Sequence, residues 1–259
     1  MRANGFSLVE IAVVLVIISI LIAMVAVPFA TQLDQQRTVE TQKQLENIKE
    51  AIYGFAMANG RLPCPATDVG GAAGTESPVG GGPCTIDSGL VPGITLGLSG
   101  LDSKGFVVDG WRDGQDARRM RYAVRLVSMA SASPPCTSAF TSVLTTSNSM
   151  RTVTMDCLSQ ATMVMLTVNT TIITGALPGT CTASVLTTTA PFVIFSLGKN
   201  GLTVGTGTDE TKNLVTNAVT FVSNTPMIAA SCAGEFDDIV TWGSINTLFA
   251  RMVQAGKLP

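Results

Sequence analysis

From Ile11 to Leu33 the chain carries no charged residue, and the stretch from Phe6 to Pro28 is almost wholly aliphatic. About 20 such residues, at a rise of ~1.5 Å each, span the hydrocarbon core of a bilayer as one helix. The pattern predicts a membrane helix over about 6–29. Arg2 and the initial amine lie on its short side, which holds that end in the cytoplasm and places the C-terminal bulk outside.

Glu10 is the anomaly in this segment. A carboxylate costs on the order of 2.5–3.5 kcal/mol at the bilayer centre. A secretory signal peptide would keep acid out of the position and end in a small-x-small cleavage site. An acid placed here implies a partner charge. The other reading of Glu10 alone is a plain signal anchor with the side chain reaching the headgroups.

Among 259 residues, 46 % are hydrophobic and 13 % charged, enough apolar material for a sizeable core. The net charge of −2 gives no global drive towards nucleic acid or anionic membrane. Histidine is absent, which removes the commonest general base and metal ligand together with Ser/His and Cys/His nucleophile pairs. The expectation is a protein that is not an enzyme and uses no cofactor. Cys64, Cys84, Cys136, Cys157, Cys181 and Cys232 form an even, dispersed set without zinc-knuckle spacing. Downstream of an apolar N-terminal segment they read as disulfides made in an oxidising compartment, against six reduced thiols in a cytosolic core. Six cysteines permit 15 connectivities. Proximity favours Cys64–Cys84, a loop whose closure is worth about 3 kcal/mol on the chain-entropy model.

Gly5, Phe6, the apolar run and Glu10 five residues after the glycine resemble the class III signal peptide of type IV prepilins and type II secretion pseudopilins. The resemblance implies cleavage after Gly5 by a prepilin peptidase, N-methylation of Phe6, and pairing of Glu10 with the N-terminal ammonium of a neighbouring subunit. Methylation leaves that amine cationic. Pro28 resembles the family's mid-helix proline, one residue later than usual. The implied organisation is a cleaved leader over 1–5, a long helix over 6–58 and a disulfide-bonded periplasmic or extracellular domain over 59–259. Gly60–Ala66, Gly234–Trp242 and the closing Ala255–Pro259 further resemble a subgroup of pilin-like proteins from Gram-negative bacteria.

The residues beyond Pro28 agree with this fold. Leu45, Ile48, Ile52 and Phe55 form an apolar stripe at helical spacing, and Asn59-Gly60 followed by Pro63 stops the helix. A hinge at Pro28 would instead give two helices. Residues 61–110 read as loop. Arg151–Cys157, Met163–Thr174, Phe192–Leu197, Val219–Ser223 and Phe236–Trp242 read as strands. Ser244 caps a closing helix with Ile245, Leu248, Phe249 and Met252 on one face. Helix first and strands after predict an α+β pilin fold, a long helix with a membrane half and an amphipathic half packed on an antiparallel sheet.

Three further features are weighed against function. Asp109, Asp113 and Asp116 are weak calcium candidates, since their spacing departs from an EF-hand. Asp237 and Asp238 are adjacent, so a strand would send them to opposite faces, against a shared metal. Arg112, Arg118, Arg119, Arg121 and Arg125 lie near Trp111 and Tyr122, yet interleaved aspartates favour a salt-bridged loop over DNA. The sequon Asn169-Thr170-Thr171 depends on a host glycosylation system. The resulting expectation is a structural subunit, a minor pilin by its large ectodomain. Its partners are other pilin subunits, the prepilin peptidase and an inner-membrane assembly platform. It starts as a single-pass inner-membrane protein and moves to a periplasmic or extracellular filament. The alternatives are a type II secretion pseudopilin and a non-polymerising single-span periplasmic binding protein.

Overall fold

The computed structural model describes residues 7–68, 72–111, 118–125, 142–152, 165–201, 207–215 and 218–258, with the backbone alone for 23–30. Helix α1 runs unbroken through Pro28 from Leu8 to Asn59, 52 residues or about 78 Å. Gly60 ends it in the left-handed conformation at φ 69°, and its N–H reaches the Ala56 carbonyl.

The two parts of α1 differ in what surrounds them. Residues 8–22 are all exposed, whereas Thr41, Leu45, Ile48, Ile52, Tyr53 and Ala56 are buried. The stripe therefore passes through Tyr53 and Ala56, and Phe55 is half-buried beneath the Arg61 guanidinium, 4.9 Å from its ring centroid.

Two sheets follow. The first has the order β1-β2-β5-β7 and is antiparallel throughout, from β1 (Ser88–Leu90), β2 (Arg121–Val124), β5 (Phe192–Ser196) and β7 (Ile239–Trp242). The second has the order β4-β3-β6, from β3 (Leu166–Thr174), β4 (Thr180–Ala190) and β6 (Thr220–Val222). β3 pairs antiparallel with β4 and parallel with β6. Three further helices lie among the described residues: α2 (Ser149–Thr152), α3 (Thr208–Asn213) and α4 (Ile245–Gln254). The architecture is α+β, with a sheet-packed C-terminal domain that fits the pilin fold.

Strand β5 lies at the centre because it is apolar on both sides. Successive side chains alternate faces, so Phe192 and Ile194 join the core on α1 with Leu45, Ile48, Ile52, Tyr122 and Leu248. Val193 and Phe195 join the other core with Leu166, Val168 and Phe221 of the second sheet. Tyr53 meets Phe192 edge-on at 5.5 Å between centroids, and Phe195 meets Phe221 at 5.7 Å. α4 closes the α1 side, where Arg251 pairs with Glu50 at 2.6 Å and covers the Tyr53 ring.

Several segments differ from the sequence reading. Arg151 and Thr152 lie in the helical turn α2, and the rest of that expected strand falls outside the described residues. Strand β4, eleven residues long, was not expected: it has no buried face, so its sequence shows no apolar alternation. Strand β2 was hidden among arginines that read as a charged loop.

Candidate functional site

At the head of α1 the backbone N–H groups have no partners within the helix, and the sequence supplies them locally. Ser7 is the N-cap, its Oγ accepting from the Val9 N–H at 3.3 Å, while the Glu10 carboxylate accepts from the Ser7 N–H at 2.9 Å. This is a capping box, and its signature, Ser-x-x-Glu, stands in Ser7–Glu10. Glu10 is therefore a capping residue as well as a charge. The carboxylate also lies at the positive end of the helix dipole. It thus has a neutral donor in its own chain, and among the described residues the first basic one, Arg37, is about 40 Å along the helix at 1.5 Å per residue. Gly5 and Phe6, the expected processing residues, fall outside the described residues.

Behind this cap stands an uncovered apolar surface. Leu8 is 87 % exposed, Leu15 61 % and Ile22 63 %. Soluble domains rarely expose apolar patches beyond a few hundred Å² without a partner or a membrane to cover them. Among the described residues no helix is long and apolar enough to cross a membrane. The described apolar side chains stop at Ile22, and the uncharged run continues through residues 23–30 in the sequence.

Residues 1–26 match the family model described as the prokaryotic N-terminal methylation motif. This is the class III signal peptide of type IV pilins and pseudopilins. The motif supports a type IV pilin-like or pseudopilin protein. Pilin subunits and a prepilin peptidase are the partners such a motif suggests in general. Searches of curated proteins and of solved structures found no match to the chain.

The motif ends well before the ectodomain, where the other candidate residues lie. Cys64 and Cys84 are bonded, as are Cys181 and Cys232. Cys136 and Cys157 fall outside the described residues. Asp109 is 2 % exposed and both its oxygens are engaged, one by the Trp111 N–H at 3.0 Å and one by the Ser196 hydroxyl at 2.7 Å. It fastens the 109–111 turn to β5, where Gly110 donates to the Thr41 hydroxyl of α1 at 2.9 Å. That commitment removes Asp109 as a loop ligand, and Asp113 and Asp116 fall outside the described residues.

The arginines are drawn into the domain. Arg118 is buried and donates to the carbonyls of Gly198 and Lys199. Arg119 is buried against Phe106 and pairs with Asp68 and Asp102, each at 2.8 Å. Arg112 falls outside the described residues. Asn169 of the sequon sits in β3 with its side-chain oxygen buried.

One cluster went unrecognised. Glu210, Asp237 and Asp238 bring carboxylate oxygens within 4.8 Å of one another. Asp237 and Asp238 were expected on opposite faces of a strand, but both precede β7, which begins at Ile239, so strand alternation does not separate them. Neutral donors already use much of this oxygen: Asn200 serves Glu210 and Asp237, and Asn213 serves Asp238 at 2.8 Å. Four of the six carboxylate oxygens accept such hydrogen bonds, which leaves few for the six to eight that calcium takes. Burial pushes the Asp238 carboxyl up to about 7, with the charges of Glu210 and Asp237 adding to it. Burial likewise raises Asp237 to about 6. The arrangement favours holding protons. The residues come from α3 and from the β7 entry, a long-range juxtaposition with no local sequence signal.

Proposed function

We propose that the chain is a structural subunit, a minor pilin, of a type IV pilus-like filament, cut after Gly5 by a prepilin peptidase and N-methylated at Phe6. Residues of about 6–29 anchor it in the inner membrane before assembly. The ectodomain then lies in the periplasm and passes into the periplasmic or extracellular filament. The role is mechanical, without catalysis or cofactor. The observation that carries this reading is the methylation motif at residues 1–26 on a helix whose apolar N-terminal part is exposed along every described side. Lipid covers that surface before assembly, and the corresponding helices of neighbouring subunits cover it afterwards. The large ectodomain supports a minor rather than a major subunit.

The test is the mature N-terminus. Glycine lacks the Cβ that would crowd a peptidase site held close to the backbone. Mass spectrometry of the membrane-extracted protein should find N-methyl-Phe6 in the wild type, and Gly5→Val should accumulate as full-length precursor. An intact Met1 in the wild type, or normal trimming of Gly5→Val, overturns the reading.

A further inference from the structure

Contacts with α1 fix the height of each part of the ectodomain above the membrane half of that helix. The uncharged run of α1 ends at Leu33, and Asp34, the next residue, pairs with Lys199 at 2.6 Å. The turn after β5 therefore marks the membrane-facing end of the domain. β5 descends to it along α1: Phe192 meets the Tyr53 ring, and Ser196 donates to Asp109, beside the Gly110 bond to Thr41. In the outer layer β3 descends the same way. It starts at Leu166, opposite Ala190, which lies two residues before Phe192. By Thr171 it has reached α3, where the Thr171 hydroxyl donates to Asp209 at 2.6 Å. The adjacent Glu210 accepts from Asn200, the neighbour of Lys199. Beyond Thr171 three more strand residues, about 10 Å at 3.3 Å per residue, carry the chain to the 175–179 turn. That turn reaches the level at which α1 passes from charged to uncharged sequence.

The tip of this hairpin is apolar and bare. Ile172 and Leu177 are 48 % and 57 % exposed, and Ile228 on the adjoining 225–231 loop is 61 % exposed. Neither segment carries charge: no Asp, Glu, Lys or Arg occurs from Cys157 to Gly198 or from Asn213 to Gly234. The two segments are fastened together, because Cys181 is bonded to Cys232 and the Cys232 N–H donates to the Pro178 carbonyl at 2.8 Å. We propose that the 172–179 tip, with Ile228 beside it, rests in the surface of the bilayer that holds α1, as a second point of contact before assembly. At that surface the apolar side chains leave water and no charge has to be desolvated. The contact is shallow. Among the described residues β4 pairs only with β3, and an open strand edge does not enter the hydrocarbon core. The tip therefore stops among the headgroups, where the hydroxyls of Thr174 and Thr180 keep polar partners. With no basic residue in either segment, the attraction does not require anionic lipid. α1 and the tip lie on opposite sides of the first sheet, so the two contacts together set the tilt of the ectodomain, and departure into a filament frees the tip. The inference rests on the membrane half of the function proposed above.

The experiment uses the full chain reconstituted in vesicles of phosphatidylcholine brominated near the top of the acyl chain. One tryptophan is added at a time, and the wild-type emission is subtracted. Leu177→Trp, seated about 5–10 Å into the boundary of headgroups and acyl chains, should emit to the blue and lose most of its emission to bromine. Thr188→Trp, at an exposed position near the other end of β4, should lose little. Added phosphatidylglycerol or salt should leave the loss at Leu177→Trp unchanged. Ile172→Asp/Ile228→Asp in the Leu177→Trp background should abolish most of that loss, with circular dichroism unchanged. Quenching of Leu177→Trp no greater than that of Thr188→Trp would overturn the inference. So would shielding of Leu177→Trp that grows with the ratio of protein to lipid, the mark of a neighbouring subunit at the tip. Ile17→Trp, on the exposed apolar part of α1, separates the two readings. If it escapes quenching, the membrane anchor fails. If it is quenched while Leu177→Trp is not, this inference alone fails.

Discussion

Asp238 is a buried acid whose carboxyl burial pushes up against the opposing pull of Arg121, and Arg121 Nε has no hydrogen-bond partner among the described residues. A carboxyl whose folded pKa is raised holds its proton more tightly in the native than in the unfolded chain. Its contribution to stability is whole below the unfolded value of about 3.9 and is lost as pH rises through the folded values of about 6 and 7. For Asp238 that loss is on the order of a few kcal/mol. Asp238→Asn keeps an oxygen for the Asn213 amide and has no proton to lose. Thermal melts from pH 4 to 8 should show the variant more stable than the wild type at pH 7.5 and the two converging near pH 4. A difference independent of pH would mean the cluster does not hold the proton assigned to it.

At the scale of elements, legibility follows burial. α1 and β5 were readable because one carries an unbroken apolar run and a stripe at helical spacing, and the other is apolar on both faces. β4 was not readable because solvent meets both its faces, and α3 is too short for a period to form. The capping box at Ser7 was legible, but the carboxylate was weighed only as a charge. The clamp in the 61–84 segment was illegible because its partners are distant in sequence. There Arg61 and Glu76, each with its side chain 4 % exposed, form a two-pronged pair at 2.7 and 2.6 Å, and Glu76 also accepts from the Cys64 N–H. Removing one member of a buried pair leaves an uncompensated charge, a loss of about 3–5 kcal/mol. Opening the Cys64–Cys84 loop costs about 3 kcal/mol on the chain-entropy model. Glu76→Ala should therefore destabilise the domain at least as much as Cys64→Ser/Cys84→Ser in urea unfolding. A loss under 1 kcal/mol would show that the ion pair does not hold this segment.

The whole molecule divides its work along α1. Residues 41–56 of the helix serve the ectodomain core, and residues 8–22 offer a bare apolar surface ending in one carboxylate. That carboxylate satisfies its own helix cap in the single chain, so loss of the side chain removes two things at once. Glu10→Ala deletes the box as well as the charge, and a lost cap alone costs about 0.5–2 kcal/mol. Glu10→Gln separates them, because glutamine completes a capping box but cannot pair with a neighbour's ammonium. The most direct measurement is the ratio of protein in sheared filaments to protein in the membrane for the wild type, Glu10→Gln and Glu10→Ala, with trimming after Gly5 verified in each. Intersubunit pairing predicts that both variants are inserted and trimmed yet enter filaments poorly, to similar extents. Wild-type incorporation of trimmed Glu10→Gln would contradict it and leave Glu10 as a helix cap alone.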